Sequence, residues 1–184
     1  ENSKSASRVP DGIRIAVLGK PNAGKSSLFN KIIEQRRALI LPEAGTTRDR
    51  LEAQVSWRDK TFTLVDTGGL DPSKKDEYYD KIITQARVAM ENASIIIFMV
   101  DVSVGVLNED KKIIRDLRKL GKPIILAVNK CDNQAKRSRA NVFEQFGLPI
   151  NAISAANGSG TGDLLDAITT MLSEKKDEAQ KNID

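Results

Sequence analysis

The chain has 184 residues, 40% hydrophobic and 29% charged, with a formal net charge of +4. That suffices for one well-cored α/β domain but not for two ordinary ones, and no apolar run approaches the roughly 18 residues of a membrane span. A single cysteine, Cys131, excludes an internal disulfide, and the absence of histidine excludes imidazole chemistry.

This composition predicts a protein of a reducing cytoplasm, with no membrane association. The chain begins at Glu1, without Met and without a signal-peptide pattern, and reads as a piece of a longer protein that has further domains. Its mild basic bias permits contact with RNA without arguing for it; a solvated surface explains it equally.

Residues 1–11 are polar and read as a leader or linker. Ile13–Leu18 is a short apolar run, a buried strand. Gly19–Ser26 follows as Gly-Lys-Pro-Asn-Ala-Gly-Lys-Ser, and Leu28, Phe29, Ile32 and Ile33 then repeat as one face of a helix reaching about Gln35. Arg36–Pro42 returns toward the sheet, and Glu43–Asp49 has no clean period and reads as a mobile loop. Leu51–Trp57 and Thr61–Asp66 alternate around Arg58-Asp59-Lys60, an antiparallel hairpin. After a Pro- and Lys-rich loop, a helix carries Tyr79, Ile82, Ile83, Ala86, Ala89 and Met90. Ile95–Val100 is a buried strand ending in Asp101. Ile113, Ile114, Leu117 and Leu120 mark a helix stopped at Gly121 and Pro123. Ile124–Val128 is the next strand, Ala135–Phe146 a helix, Pro149–Ile153 a short strand, and Leu164, Leu165, Ile168 and Leu172 the last helix. Residues 174–184 are charged and read as a fraying tail or linker. The domain proper spans residues 12–173.

Strands alternating with helices predict a three-layer α/β fold: a mostly parallel six-stranded sheet with one antiparallel strand, helices on both faces, and ligands at the carboxyl ends of the strands. The motifs lie at those ends. Gly19–Ser26 matches G-x-x-x-x-G-K-[ST], the phosphate-binding loop. Its glycines let backbone N–H groups turn inward onto phosphate oxygens, and the following helix adds the positive end of its dipole. Lys25 brings an ammonium to the β- and γ-phosphates and Ser26 a hydroxyl to Mg²⁺. We assign Gly19, Asn22, Ala23, Gly24, Lys25, Ser26 and Ser27 to nucleotide binding.

Asp66-Thr67-Gly68-Gly69 has the form D-x-x-G. A carboxylate at a strand end holds Mg²⁺ through its water shell, and the bare N–H of Gly69 suits a γ-phosphate. Thr46 and Thr47 lie where a hydroxyl would complete the Mg²⁺ shell while the γ-phosphate is present, which makes residues 36–50 a switch. Asn129-Lys130-Cys131-Asp132 decides the base. Guanine presents N1–H beside an amino group, two donors that one carboxylate, Asp132, accepts together; adenine presents no such pair. Asn129 ties loops together, the Lys130 stem covers the base plane, and Ser154-Ala155 offers a backbone N–H to the guanine oxygen. Cys131 reads as a small buried spacer. These readings make GTP, GDP and Mg²⁺ the ligands.

With these motifs in this order, over residues 12–173, the chain resembles the EngA/Der-type bacterial GTPases of the Era/EngA/MnmE group, which share the Ras-like G-domain fold. The strings that carry the resemblance are IAVLGKPNAGKSSLFNKI, GTTRDR, FTLVDTGGL, LRKLGKPIILAVNKCD and ISAANGSGTGDLLDAI. EngA/Der proteins have two GTP-binding domains in tandem. Asp-Thr-Gly-Gly and the LRK-x-x-KPIILAVNK string look more like the first, while a polar leader fits the second as well. MnmE-type tRNA-modification GTPases share PNAGKSS and GTTRD, but their switch usually reads Asp-Thr-Ala-Gly.

The resemblance implies a GTP-hydrolysing switch in large ribosomal subunit assembly, contacting a ribosomal precursor or rRNA through the full-length protein. It implies that Thr47 is the Mg²⁺-binding switch threonine. Leu70 holds the place of the water-orienting glutamine of many Ras-like enzymes and cannot hydrogen-bond water. In potassium-activated relatives the residue matching Asn22 holds K⁺ against the phosphates, so Lys25, Thr47, Gly69 and Asn22 form the expected catalytic set. An MnmE-type G domain, or a non-hydrolysing, nucleotide-sensing RNA-binding module, stands as the alternative.

Overall fold

The computed structural model describes residues 12–35, 38–40, 51–67, 78–90 and 92–183. In chain order the elements are β1 (Arg14–Gly19), α1 (Lys25–Glu34), β2 (Ala38–Ile40), β3 (Leu51–Trp57), β4 (Lys60–Asp66), α2 (Tyr78–Met90), β5 (Ala93–Asp101), α3 (Asn108–Arg118), β6 (Ile124–Asn129), α4 (Gln134–Arg139), β7 (Ile150–Ala152) and α5 (Thr161–Lys181). They form one sheet in the order β2-β3-β4-β1-β5-β6-β7. All six predicted strands are present, and β3 is the one strand that runs against its neighbours. The three-residue β2 adds a seventh at the edge, inside the segment expected to return toward the sheet.

The central strands are apolar on both faces because both faces are covered. Alternate residues of β1 and β5 divide between two cores. Ile15, Val17, Ile95 and Ile97 pack with Leu28, Phe29 and Ile32 of α1 and Leu164, Leu165 and Ile168 of α5. Leu18, Ile96 and Phe98 pack on the other side with Ile82 and Ala86 of α2, Ile113 and Leu117 of α3, and Phe143.

The β3–β4 connection is tighter than expected. Trp57 pairs with Lys60, leaving Arg58 and Asp59 as a two-residue turn with φ of 47° and 63°, the left-handed pair that matches strand twist. Trp57 Nε1 donates to Asp166 Oδ1 at 2.8 Å, and Arg58 pairs with the same carboxylate. The hairpin that separates the two predicted switch segments is thereby anchored to α5.

Two helices depart from expectation. The helix predicted over 135–146 is α-helical only to Arg139 and continues as 3₁₀ from Ala140 to Phe146. It starts at Asn133, whose side chain accepts from Lys136 N at 2.9 Å. The charged segment 174–184, expected to fray, is helical through Lys181. Its first turn is held to the sheet by Lys175 Nζ, which donates to Ser94 O at 2.9 Å; further on the turns are exposed and continue on helix propensity alone.

Candidate functional site

The parallel strands carry the motif residues to one edge of the sheet. Gly19 ends β1, Asp66 ends β4, Asp101 ends β5 and Asn129 ends β6, with Gly19 opposite Met99 and Asp101 opposite Asn129 in register. The loop after β1 turns through a short 3₁₀ segment at Pro21–Ala23, and Gly24 enters α1 with φ of 100°. A Cβ on Gly24 would lie 2.2 Å from the side-chain nitrogen of Asn129, so only glycine fits there. Lys25 is buried at the start of α1, and its Nζ is 3.3 Å from Asp66 Oδ1, itself nearly buried. A buried ammonium requires such a partner. Asn22, Ser26 and Ser27 are exposed and Ala23 is buried. Beside the loop, a cavity of about 190 Å³ is lined by Lys20, Asn22, Asp101, Leu107 and Asp110 among others.

Asn129 is the knot of the site. It is 2% exposed. Its Nδ2 donates to Ala23 O at 2.7 Å and its Oδ1 accepts from Ala155 N at 2.9 Å. One side chain thus joins the phosphate loop to the loop after β7, across 106 and 26 residues of sequence. Because each amide atom faces a partner of opposite kind, the network itself assigns its orientation.

Asp132 is exposed, yet its carboxylate is aimed: Oδ1 accepts from the fully buried Ser154 Oγ at 2.6 Å, and Oδ2 is 3.6 Å from Lys136 Nζ. Lys130 has φ of 67°, and its Nζ lies 2.9 Å from Asp101 Oδ2. Asp101 Oδ1 in turn accepts from Ser103 N at 2.8 Å. The sequence reading missed Asp101 as a participant; its signal was a carboxylate closing an apolar strand run. Cys131 is buried, and burial pushes its thiol above the usual range, so it is an inert filler.

The Ser154-Ala155 segment, expected to offer a backbone N–H to a guanine oxygen, has Ser154 N donating to Ser159 O at 2.8 Å and Ala155 N to Asn129 Oδ1 at 2.9 Å. The exposed amide of Ala156, next in the chain, takes no protein acceptor among the described residues. Thr46, Thr47, Gly69 and Leu70 lie outside the described residues.

The fold and this edge define a P-loop GTP-binding domain. The chain belongs to the 50S ribosome-binding GTPase family, whose match covers residues 14–130. It is 46% identical over 157 residues to the GTPase Der of Amoebophilus asiaticus, covering 84% of this chain and 36% of that protein. It is 44% identical over 167 residues to the GTPase Der of Acetivibrio thermocellus, covering 89% of this chain and 38% of that protein. These relatives bear out the EngA/Der-type resemblance, and the chain spans under two fifths of their length. Among solved structures, Era in complex with MgGDPNP and nucleotides 1506–1542 of 16S ribosomal RNA superposes with a TM-score of 0.67 at 29% identity, covering 87% of this chain and 56% of that one. The G domain of the Thermotoga maritima FeoB iron transporter superposes with a TM-score of 0.63 at 22% identity, covering 87% and 98%, a likeness of fold alone. Among the described residues no helix is long and apolar enough to cross a membrane.

Proposed function

We propose that this chain is the first of two GTP-binding domains of an EngA/Der-type cytoplasmic protein, and that it hydrolyses GTP slowly as a switch in large ribosomal subunit assembly. Its partner is a ribosomal precursor or rRNA, met through the full-length protein. The observation that carries the reading is the Asn129 cross-tie, which brings a phosphate loop and an aimed base-reading carboxylate to one edge of the sheet.

In this reading Asp132 accepts from the two guanine donors, Ser154 holds its carboxylate in place, and the Ala156 amide meets the base oxygen. Asp101 steadies Lys130, whose stem covers the base. The loop amides from Asn22 to Ser27 and the Lys25 ammonium take the phosphates. With nucleotide bound, the Lys25 ammonium would take phosphate oxygens in place of its Asp66 partner, and the Asp66 carboxylate would be available to hold Mg²⁺. The oxygen donors at hand, the Ser26 hydroxyl and the Asp66 carboxylate, suit Mg²⁺, with Thr47 supplying a third. Mg²⁺ held there neutralises charge on the phosphate oxygens. Replacing Ser26 by Ala is expected to weaken nucleotide affinity more with Mg²⁺ than without it. Titration in both conditions checks this, and equal losses would remove Ser26 as a ligand.

Hydrolysis must proceed without glutamine at Leu70 and without histidine. The exposed Asn22 carbonyl oxygen is a suitable ligand for K⁺, which would add positive charge against the phosphates, and Gly69 offers its N–H to the γ-phosphate. An arginine finger gives about 10³–10⁵ in rate, and K⁺ is expected to give less, roughly tenfold or more. The test is phosphate release in KCl against NaCl at equal ionic strength, for wild type and Asn22→Ala. A K⁺ effect that survives Asn22→Ala would refute this role for Asn22. No release in either salt would favour the non-hydrolysing RNA-binding module.

A further inference from the structure

Charge is unevenly spread along this chain. From Lys111 to Arg139 there are ten Lys and Arg against two Asp, a net +8 in a chain whose total is +4, so the rest of the molecule is net −4. The fold gathers half of these ten cations into one row, while Lys130 and Lys136 pair with Asp101 and Asp132 at the site described above. α3 buries Asp110, Ile113, Ile114 and Leu117, which leaves Lys111, Arg115, Arg118 and Lys119 exposed along its outer side. The half-buried Lys122 continues the row past the helix end. Arg118 reaches across to the carbonyl of Phe146, so the 3₁₀ segment after α4 flanks the row on the same face of the sheet.

Little within the molecule neutralises these charges. Among the described residues Asp116 is the carboxylate that pairs with the row, 3.5 Å from Arg115 Nε and 3.4 Å from Lys119 Nζ, and it also accepts from the Tyr79 hydroxyl. Lys111 and Lys122 make no ion pair among the described residues. Lys111 and Arg115, and Arg115 and Lys119, are like charges four apart, which repel along the helix, while Arg115 and Arg118 lie in its last turn, where the dipole favours cations.

We propose that the outer face of α3 binds the phosphate backbone of double-stranded RNA. This rests on the ribosomal RNA reading above and assigns it a place. Long cationic side chains in a row fit phosphates. Among the described residues no exposed large hydrophobic side chain lies on α3, and Val142 alone is exposed on the flanking 3₁₀ segment, so the row lacks the buried aromatic or aliphatic cluster of a protein interface. Of the described aromatic rings near it, Tyr79 is covered by Lys112 Nζ at 3.8 Å from the ring centroid and Phe146 packs against the core, so neither offers a stacking platform for unpaired bases.

The test is fluorescence anisotropy of a labelled RNA hairpin duplex over a KCl series, with the wild-type chain, the triple variant Lys111→Glu, Arg115→Glu, Lys119→Glu, and the milder Gln triple in case reversal impairs folding. The expected result is salt-dependent binding by wild type, with affinity at least about tenfold lower in the variants and the log–log salt slope shallower by about one per lost contact, while the melting temperature and GDP affinity stay unchanged. Wild-type binding that the variants retain would overturn this face and leave the RNA reading standing. No binding by wild type at low salt would overturn RNA binding by this domain, and would leave contact with ribosomal RNA to the rest of the full-length protein. Polyglutamate competing as well as the duplex at equal charge would reassign the face to an acidic protein.

Discussion

Asp132→Asn is expected to convert the site from guanine to xanthine nucleotides. The carboxylate is presented with one oxygen fixed by Ser154 Oγ at 2.6 Å. In the variant the amide oxygen keeps that bond, and the new NH₂ group points where guanine also places donors. Two donors facing each other lose both base contacts and leave buried polar groups unpaired. A site built to hydrogen-bond its ligand rejects a mismatched one by about 10⁴–10⁵, so GTP affinity is expected to fall by roughly that factor. Xanthine carries a carbonyl where guanine carries its amino group, and this restores one matched pair. Competition binding with GTP, ATP and XTP decides the matter: XTP is expected to displace a labelled nucleotide from the variant and GTP from wild type. ATP competing with wild type as well as GTP would remove the base-reading role from Asp132.

Asn129→Ala is expected to damage the site and the fold together. It removes a donor from Ala23 O and an acceptor from Ala155 N at a position 2% exposed. An unsatisfied buried polar group costs about 1–3 kcal/mol. With two such groups the melting temperature is expected to drop by at least about 4 °C, at ~2–4 °C per kcal/mol for a domain of this size. Affinity falls as well, by about 100-fold or more, because the phosphate loop and the base-reading loop are no longer fixed to each other and binding must order both. The control is Ser154→Ala, which releases the Asp132 carboxylate but leaves the cross-tie intact. It is expected to weaken discrimination between GTP and ATP more than it weakens GDP-stabilised melting. Thermal melting with and without GDP separates the two variants. Equal affinity losses with no fall in the melting temperature of Asn129→Ala would show that the cross-tie is not structural.

Much of this was legible in the chain itself. The phosphate loop declares itself because its chemistry is local: two glycines, a lysine and a hydroxyl act within eight residues of backbone, between a strand and a helix whose apolar periods are plain. The same holds for the alternation of strands and helices, since a parallel strand buried on both faces has no polar side to disguise it. Asp132 was identified by chemical reasoning on one carboxylate and one base edge. Length, composition and motif order therefore determined the fold class and the ligand class.

Tertiary structure decided how those side chains are held. The partners of Asn129 are 106 and 26 residues away, Lys25 at the start of α1 meets Asp66 at the end of β4, and Asp101 meets Lys130 only because β5 and β6 run side by side in register. No sequence period encodes such pairings. They also engage groups that look open along the chain: the amides of Ser154 and Ala155 donate to Ser159 O and Asn129 Oδ1. The edge strand β2 and the helical continuation to Lys181 escaped for a related reason. Three residues are too few to show a period, and a charged helix held by one contact at its root has no apolar face to announce it. Strand, loop and helix are written in neighbouring residues, where side-chain size and backbone freedom act directly. The network that aims a carboxylate is written in distances between elements, which exist only when the sheet has assembled.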